Sequence, residues 1–168
     1  MSAGPMQSAT QLDDATIAYI FDMGPPFEGL RQVASLLSGF LVLVAAGART
    51  SVSQYPVLSV ASDRYQAAIG QVQSARAPRR ALHHHHHLLS AGLLLGNALT
   101  RSLVTRESVM DVRTILTPLE RGWTQLRVAG RTLPGFEVVT MDGACCAEHG
   151  GRLDDLRVAS DTGNRGIE

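Results

Sequence analysis

The chain contains no lysine, and all fifteen of its basic residues are arginine. This absence excludes three classes of protein that depend on a lysine: nucleotide-binding proteins with a Walker A lysine, pyridoxal phosphate enzymes with a Schiff-base lysine, and kinases with a phosphate-binding lysine. The motifs G-x-G-x-x-G, G-x-S-x-G and H-E-x-x-H are missing from the sequence as well. The common catalytic classes therefore have no support, and we expect a protein that is not an enzyme.

Cysteine is also scarce, since Cys145 and Cys146 are the only two and are adjacent. Neighbouring cysteines cannot join distant segments, so we expect no disulfide scaffold and a reducing compartment, the cytoplasm. The first residues lack a basic stretch followed by an apolar one, so no secretory signal is expected. The formal net charge is zero and 45% of the residues are hydrophobic. These values give no support to wholesale disorder or to a nucleic-acid partner.

Apolar residues recur at intervals of three and four in long segments that begin near Phe27, Pro56, Arg79 and Thr105. Such periodicity is typical of helices that bury one face. A shorter pattern near residues 11–22 predicts a short helix that ends at Gly24-Pro25-Pro26. We therefore predict an all-α, up-and-down helical bundle of about four long helices plus a short N-terminal helix, with an irregular C-terminal tail. An irregular all-helical domain and a helical dimer are alternatives with the same elements.

The predicted organisation has three parts: an N-terminal tail with the short docking helix at 1–26, the bundle at 27–130, and an irregular or partly disordered segment at 131–168. Ala77-Pro78 predicts a corner, and a kinked continuous helix is the alternative. A second kink is predicted at Pro118, because the apolar stripe keeps its phase across this proline. Residues 136–141 predict a single strand.

Two of the predicted stripes assign particular side chains to the core. In the third segment, Leu82, Leu89, Leu93 and Leu103 are expected to widen a core face that consists of Leu88, Ala91, Leu95, Ala98 and Leu99. In the fourth segment, the predicted seam consists of Val109, Val112, Leu116, Leu119, Trp123 and Leu126. Trp123 is thus predicted to be a core residue.

Five consecutive histidines open the third segment. Helical spacing places His83 one turn from His87 and from His86, and His84 one turn from His87, and two imidazoles at this spacing can share a metal ion. His84 and His85 are expected nearest the core. The predicted metal ligands in the run are His83, His84, His86 and His87, for Zn, Ni or Cu. The alternative is a solvated tract without a dedicated ligand, and a response to pH is a separate hypothesis. The leucine face closes without the run, so we expect the fold not to need it.

The C-terminal region contains the sequence Cys145-Cys146-Ala147-Glu148-His149. Two sulfurs and one imidazole this close together are a candidate site for Zn²⁺ or Cu⁺. The alternatives are a redox-sensing pair and two small apolar residues in a loop beside an incidental histidine.

Arg76, Arg79 and Arg80 surround the predicted corner at Ala77-Pro78. A helix N-terminus favours anions, so these arginines are a candidate site for a phosphate or an acidic partner. A solvated surface is the alternative, and no aromatic residues are interleaved to stack nucleic-acid bases.

The leading functional hypothesis is a non-enzymatic bundle that acts through protein–protein interaction, either as a homo-oligomer or with another chain. The second is a metal-binding or metal-sensing bundle that uses the histidine run and the vicinal cysteines. The third is a small membrane-associated protein, because residues 32–48 are uncharged and their length is close to that of a spanning helix.

Overall fold

The computed structural model describes residues 12–46, 56–104 and 112–137. In these ranges the chain forms four α-helices, with a short 3₁₀ turn at Arg79–Ala81: α1 is Asp14–Ala45, α2 is Pro56–Ser74, α3 is Leu82–Val104 and α4 is Val112–Thr132. No strand occurs among the described residues. The predicted all-α helical bundle is confirmed. The chain divides into two compact units, Met1–Glu137 and Val138–Glu168, and the second lies outside the described residues.

Consecutive helices run antiparallel. A Cβ on Gly29 of α1 would lie 3.1 Å from Cβ of Ala68 in α2, and Gln32, one turn further along α1, pairs with Arg64, one turn earlier in α2. In the same way, Gln125 of α4 meets the first half of α3, whereas Gly122, which precedes it, meets Leu95 further along. The core lies between the helices and consists mainly of leucine, alanine and phenylalanine.

The prediction of a short N-terminal helix that ends at Gly24-Pro25-Pro26 is wrong, because α1 passes through both prolines without a break. Asp13 caps it by accepting a 2.8 Å hydrogen bond from the backbone N–H of Thr16. Each proline removes a backbone bond to the carbonyl four residues earlier, at Phe21 or Asp22. Both of those residues are exposed, so water can satisfy the freed carbonyls. Buried side chains on both sides of the prolines hold the helix in place: Tyr19, Met23, Phe27 and Leu30.

The predicted corner at Ala77-Pro78 is confirmed, since residues 75–78 are not helical and α3 begins only after the 3₁₀ turn. Pro56 is the first residue of α2, in the position where a helix tolerates a missing N–H best. The strand predicted at 136–141 is not found at its two described residues, and its remainder lies outside the described ranges. Phe136 is instead a core residue.

The predicted seam of α4 is confirmed at Leu119 and Leu126, which are buried, whereas Ile115 and Gly122 are buried in place of their neighbours Leu116 and Trp123. Val109 lies outside the described residues. Leu116 is exposed, and Trp123 is only partly buried, so its assignment to the core was wrong. Gly122 lets α3 and α4 approach closely, because the side chain of Leu95 lies 3.1 Å from the position of a Cβ on Gly122. Trp123 lines an open groove of about 400 Å³ between α1 and α4.

Helix α1 is long and apolar enough to span a membrane by length and composition. Core helices of soluble proteins and signal sequences meet the same criterion. Eleven of its residues are buried, including Leu30, Leu37 and Phe40. Membrane association stays a prediction.

Candidate functional site

The histidine run occupies the first two turns of α3, directly after the corner at Ala77-Pro78. Successive residues of an α-helix are about 100° apart around its axis. Five consecutive histidines therefore cannot act from one side. The structure distributes them among the core, the boundary with α4 and the outer surface of the bundle.

His84 is a core residue with no exposed surface. Its ring centroid lies 4.2 Å from that of Phe136 and 6.3 Å from that of Phe27. Tyr19 approaches it edge-on, with 5.6 Å between the ring centroids. The expectation that the fold does not need the run is therefore wrong, because one of the five imidazoles fills the space between the start of α1, the start of α3 and the segment after α4.

Tyr19 links two of the histidines. Its hydroxyl lies 3.0 Å from Nδ1 of His84 and 3.2 Å from Nδ1 of His85. A hydroxyl has one proton, so it donates to one ring and accepts an N–H from the other. Nε2 of His84 is buried without a partner among the described residues. A buried N–H without an acceptor is rarer in protein cores than a buried acceptor without a donor. The favoured tautomer of His84 therefore leaves Nε2 unprotonated and carries the proton on Nδ1. In this arrangement His84 donates from Nδ1 to the Tyr19 hydroxyl, and the hydroxyl donates to Nδ1 of His85.

Burial sets the ionisation of this cluster. It lowers the pKa of His84 to about 4, and the neighbouring His85 and His87 act in the same direction when charged. Burial also lowers the pKa of His85 and raises the pKa of the Tyr19 hydroxyl. His84 is consequently neutral at neutral pH, which suits its place among aromatic rings.

His83 and His87 form a different arrangement, at the boundary with α4. Their Nε2 atoms lie 3.2 Å apart, and their rings are nearly perpendicular, at 85°. Nδ1 of His87 lies 2.6 Å from Oε1 of Gln125 in α4. Since the amide oxygen only accepts, His87 carries its proton on Nδ1 and presents the lone pair of Nε2 to His83. The structure therefore brings together two of the four predicted ligands of the run.

The other predicted ligands are not assembled with this pair. His84 lies in the core, and His86 is exposed, with its ring centroid 5.7 Å from that of His87. Among the described residues, no group of three or more histidine, cysteine, aspartate or glutamate side chains is arranged to hold a metal ion. Cys145, Cys146 and His149 lie outside the described residues.

The arginines predicted to bind anions lie at the exposed corner before α3. The guanidinium of Arg80 is 3.7 Å from the carboxylate of Asp13, the cap of α1. A carboxylate thus already faces one of the three arginines. Anion binding by Arg76, Arg79 and Arg80 stays a prediction.

The outward side of α3 carries four apolar side chains together with His86 and Thr100. At about 100° per residue, six residues lie within roughly 40° of one line along the helix, opposite the core side chains. We call them the outer stripe: Leu82, His86, Leu89, Leu93, Thr100 and Val104. Leu82 is 54% exposed, Leu93 is 67% exposed and Val104 is 72% exposed. The prediction that Leu82, Leu93 and Leu103 widen the core was wrong, because the core face of α3 is narrower than the leucine pattern and all three are exposed.

Sequence reasoning missed three residues of these arrangements, namely Tyr19, Gln125 and Phe136. Tyr19 and Phe136 come from segments predicted to lie outside the bundle, so no periodic pattern connected them with the run. No family model, curated protein or solved structure matches the chain. The geometry of its own side chains is therefore the basis for a functional proposal.

Proposed function

We propose that this protein is a non-catalytic helical bundle that acts by self-association, through the outer stripe of α3. The observation that supports it is the exposure of Leu82, Leu93 and Val104 on the side of the helix opposite the core. A helix on the surface of a monomer normally carries polar residues on this side. Exposed apolar side chains aligned along one side of a helix mark an interaction surface more often than scattered ones do.

A second copy of the chain fits this surface. Leu82 and Val104 lie equally far along α3 from Leu93, in opposite directions. A two-fold axis through Leu93 therefore pairs Leu82 of one copy with Val104 of the other, in an isologous antiparallel contact. Arg101 is the only aspartate, glutamate, arginine or lysine in α3. Two copies consequently meet without opposing rows of like charge while the histidines are neutral.

Sedimentation velocity of the full chain over a range of concentrations tests the proposal. The wild type is expected to dimerise, and Leu93→Glu, which places two like charges beside the two-fold axis, is expected to be monomeric. Phe21→Glu is the matched control, because Phe21 is 76% exposed on α1 and lies outside the outer stripe. This control should still dimerise. A monomeric wild type, or equal effects of the two substitutions, would contradict the proposal.

A second candidate function is the binding of a transition-metal ion, which the 3.2 Å separation of the Nε2 atoms of His83 and His87 favours. Imidazole is a common ligand of Zn, Cu and Ni ions. Dialysis of the untagged full chain against Zn²⁺, followed by elemental analysis, tests for it. Retention of about one zinc per chain is expected, and no zinc above the buffer level would contradict it.

A further inference from the structure

We infer that Nε2 of His83 and Nε2 of His87 form an open, two-coordinate chelate for a divalent zinc-type ion, and that Gln125 positions it. This assignment rests on the second candidate function and names its ligands. Three features support it: the separation of the two nitrogens, the tautomer of His87 and the positions of the other histidines of the run.

The separation of the nitrogens matches two corners of a coordination sphere. Zn–N bonds are about 2.0–2.1 Å long, so two ligand nitrogens are roughly 3.3 Å apart around a tetrahedral ion and about 2.9 Å apart at adjacent octahedral positions. The observed 3.2 Å lies between these values. Histidines four residues apart on a helix can therefore bind one ion with little rearrangement.

The tautomer of His87 is already the one that a metal requires. Its Nδ1 proton is donated to Oε1 of Gln125, 2.6 Å away. Such an acceptor behind a ligating imidazole fixes the ring orientation and leaves Nε2 free to bind. In the structure His83 therefore donates its Nε2 proton to Nε2 of His87. His83 is exposed, so this proton can move to its Nδ1 through water when a metal arrives, without a net change of charge.

The remaining imidazoles of the run are less suited to this role. His84 is fully buried, and its Nδ1 is bonded to Tyr19. The Nδ1 atom of His85 faces the same hydroxyl. Among the described residues the proposed chelate therefore has two protein ligands, and its other positions are open to water. An imidazole pair without a carboxylate favours Zn²⁺, Cu²⁺ or Ni²⁺ over Mg²⁺ and Ca²⁺.

Isothermal titration calorimetry of the untagged full chain with Zn²⁺ tests the ligand assignment. His83→Ala and His87→Ala each remove one ligand, and each should abolish measurable binding of one zinc per chain. His86→Ala is the matched control, because it removes an exposed histidine of the same run whose ring lies 5.7 Å from that of His87 but which is not one of the two proposed ligands, and it should leave the affinity unchanged. Circular dichroism confirms that each variant is folded, and both ligand side chains have exposed surface, so their removal leaves the core intact.

Two further variants test the positioning role and the main competing site. Gln125→Leu should weaken Zn²⁺ binding by about 10–100-fold, which is the usual effect of losing an acceptor behind a ligating histidine. Gln125→Glu keeps an acceptor and should restore the affinity. Cys145→Ser/Cys146→Ser in the full chain should bind zinc like the wild type.

The outcomes distinguish a failure of the second candidate function from a failure of the ligand assignment. If the wild type binds no zinc, the second candidate function is wrong. If zinc binds but His83→Ala and His86→Ala have equal effects, the run binds zinc without a specific pair of ligands, and the assignment of the chelate to His83 and His87 is wrong. Loss of binding in the double cysteine variant would overturn it in favour of the thiols. An unchanged affinity in Gln125→Leu would overturn the positioning role alone.

Discussion

The hydroxyl oxygen of Tyr19 lies 3.0 Å from Nδ1 of His84, and both side chains are buried. This contact joins the start of α1 to the start of α3. Because its imidazole is buried and hydrogen-bonded, His84 is part of the core, unlike the exposed histidines of the same run.

Replacement of Tyr19 by phenylalanine should destabilise the fold. The variant leaves Nδ1 of His84 buried without its partner, which typically costs about 1–3 kcal/mol. Urea unfolding followed by circular dichroism measures the loss. Tyr65→Phe is the control, because Tyr65 is partly exposed and water can replace its hydroxyl, so a smaller effect is expected. Equal losses in the two variants would show that the Tyr19 contact has no special role.

The stability of the protein should fall as the pH falls from about 6.5 to about 4. Above this range His84 is neutral in both states. Within it the unfolded chain binds a proton at the ordinary histidine pKa of 6.5, whereas the folded protein, with a His84 pKa of about 4, does not. The free energy of unfolding should decrease by roughly 3 kcal/mol, at about 1.4 kcal/mol per pKa unit. The lowered pKa of His85 acts in the same direction.

Urea titrations at pH 7.5, 6, 5 and 4, pH values chosen to span the window at roughly unit steps, measure this dependence. His84→Asn keeps a side-chain donor for Tyr19 but does not titrate. Its free energy of unfolding should therefore fall less steeply with pH than that of the wild type. Identical slopes would mean that His84 is not the group responsible.

Phe136 should be essential for the environment of His84. It is buried, and its ring packs against the imidazole with 4.2 Å between the ring centroids and 38° between the ring planes. Phe136→Ala should cost about 3–5 kcal/mol and raise the pKa of His84 toward its ordinary value, because water then reaches the ring. Thermal unfolding and an NMR titration of the imidazole measure the two effects. Glu137→Ala, at the adjacent exposed position, should change stability by less than about 1 kcal/mol and leave the His84 pKa unaltered.

Two glycines of α1 should respond oppositely to alanine. A Cβ on Gly29 would lie 3.1 Å from Cβ of Ala68, and neither atom can rotate away, so Gly29→Ala should force α1 and α2 apart at a cost of about 1–3 kcal/mol. Gly39 has no atom within 4 Å of the same position, and Gly39→Ala should stabilise the helix by up to about 1 kcal/mol. Denaturant unfolding of both variants gives the two signs. Stabilisation by both substitutions would contradict the close packing of α1 on α2.

The sequence was sufficient to predict the fold class, the corner at Ala77-Pro78 and the buried positions of α3 from Leu88 to Leu99. These follow from local chemistry and from apolar spacing. The continuity of α1 could not be predicted in the same way, because it depends on buried side chains on both sides of Pro25 and Pro26 that pack against distant segments. Local helix-breaking chemistry was outweighed by tertiary packing.

The candidate site was predictable only in part. Helical spacing identified His83 and His87 as a pair, and it placed His84 and His85 on the core side. It did not reveal that Tyr19 and Phe136 enclose His84, since these residues are far away in the chain. The same holds for Gln125, whose position depends on the alignment of α4 against α3 that Gly122 permits.

The five histidines have separate roles in this account: His84 belongs to the core, and His83 and His87 form the proposed metal chelate. A zinc titration of the protein with ¹⁵N-labelled imidazoles, observed by long-range proton–nitrogen NMR, tests this directly. The Nε2 resonances of His83 and His87 are expected to shift in step with the addition of one equivalent of Zn²⁺, while both nitrogens of His84 stay unchanged. Parallel shifts of all five histidines, or a zinc-dependent shift of His84, would contradict the claim.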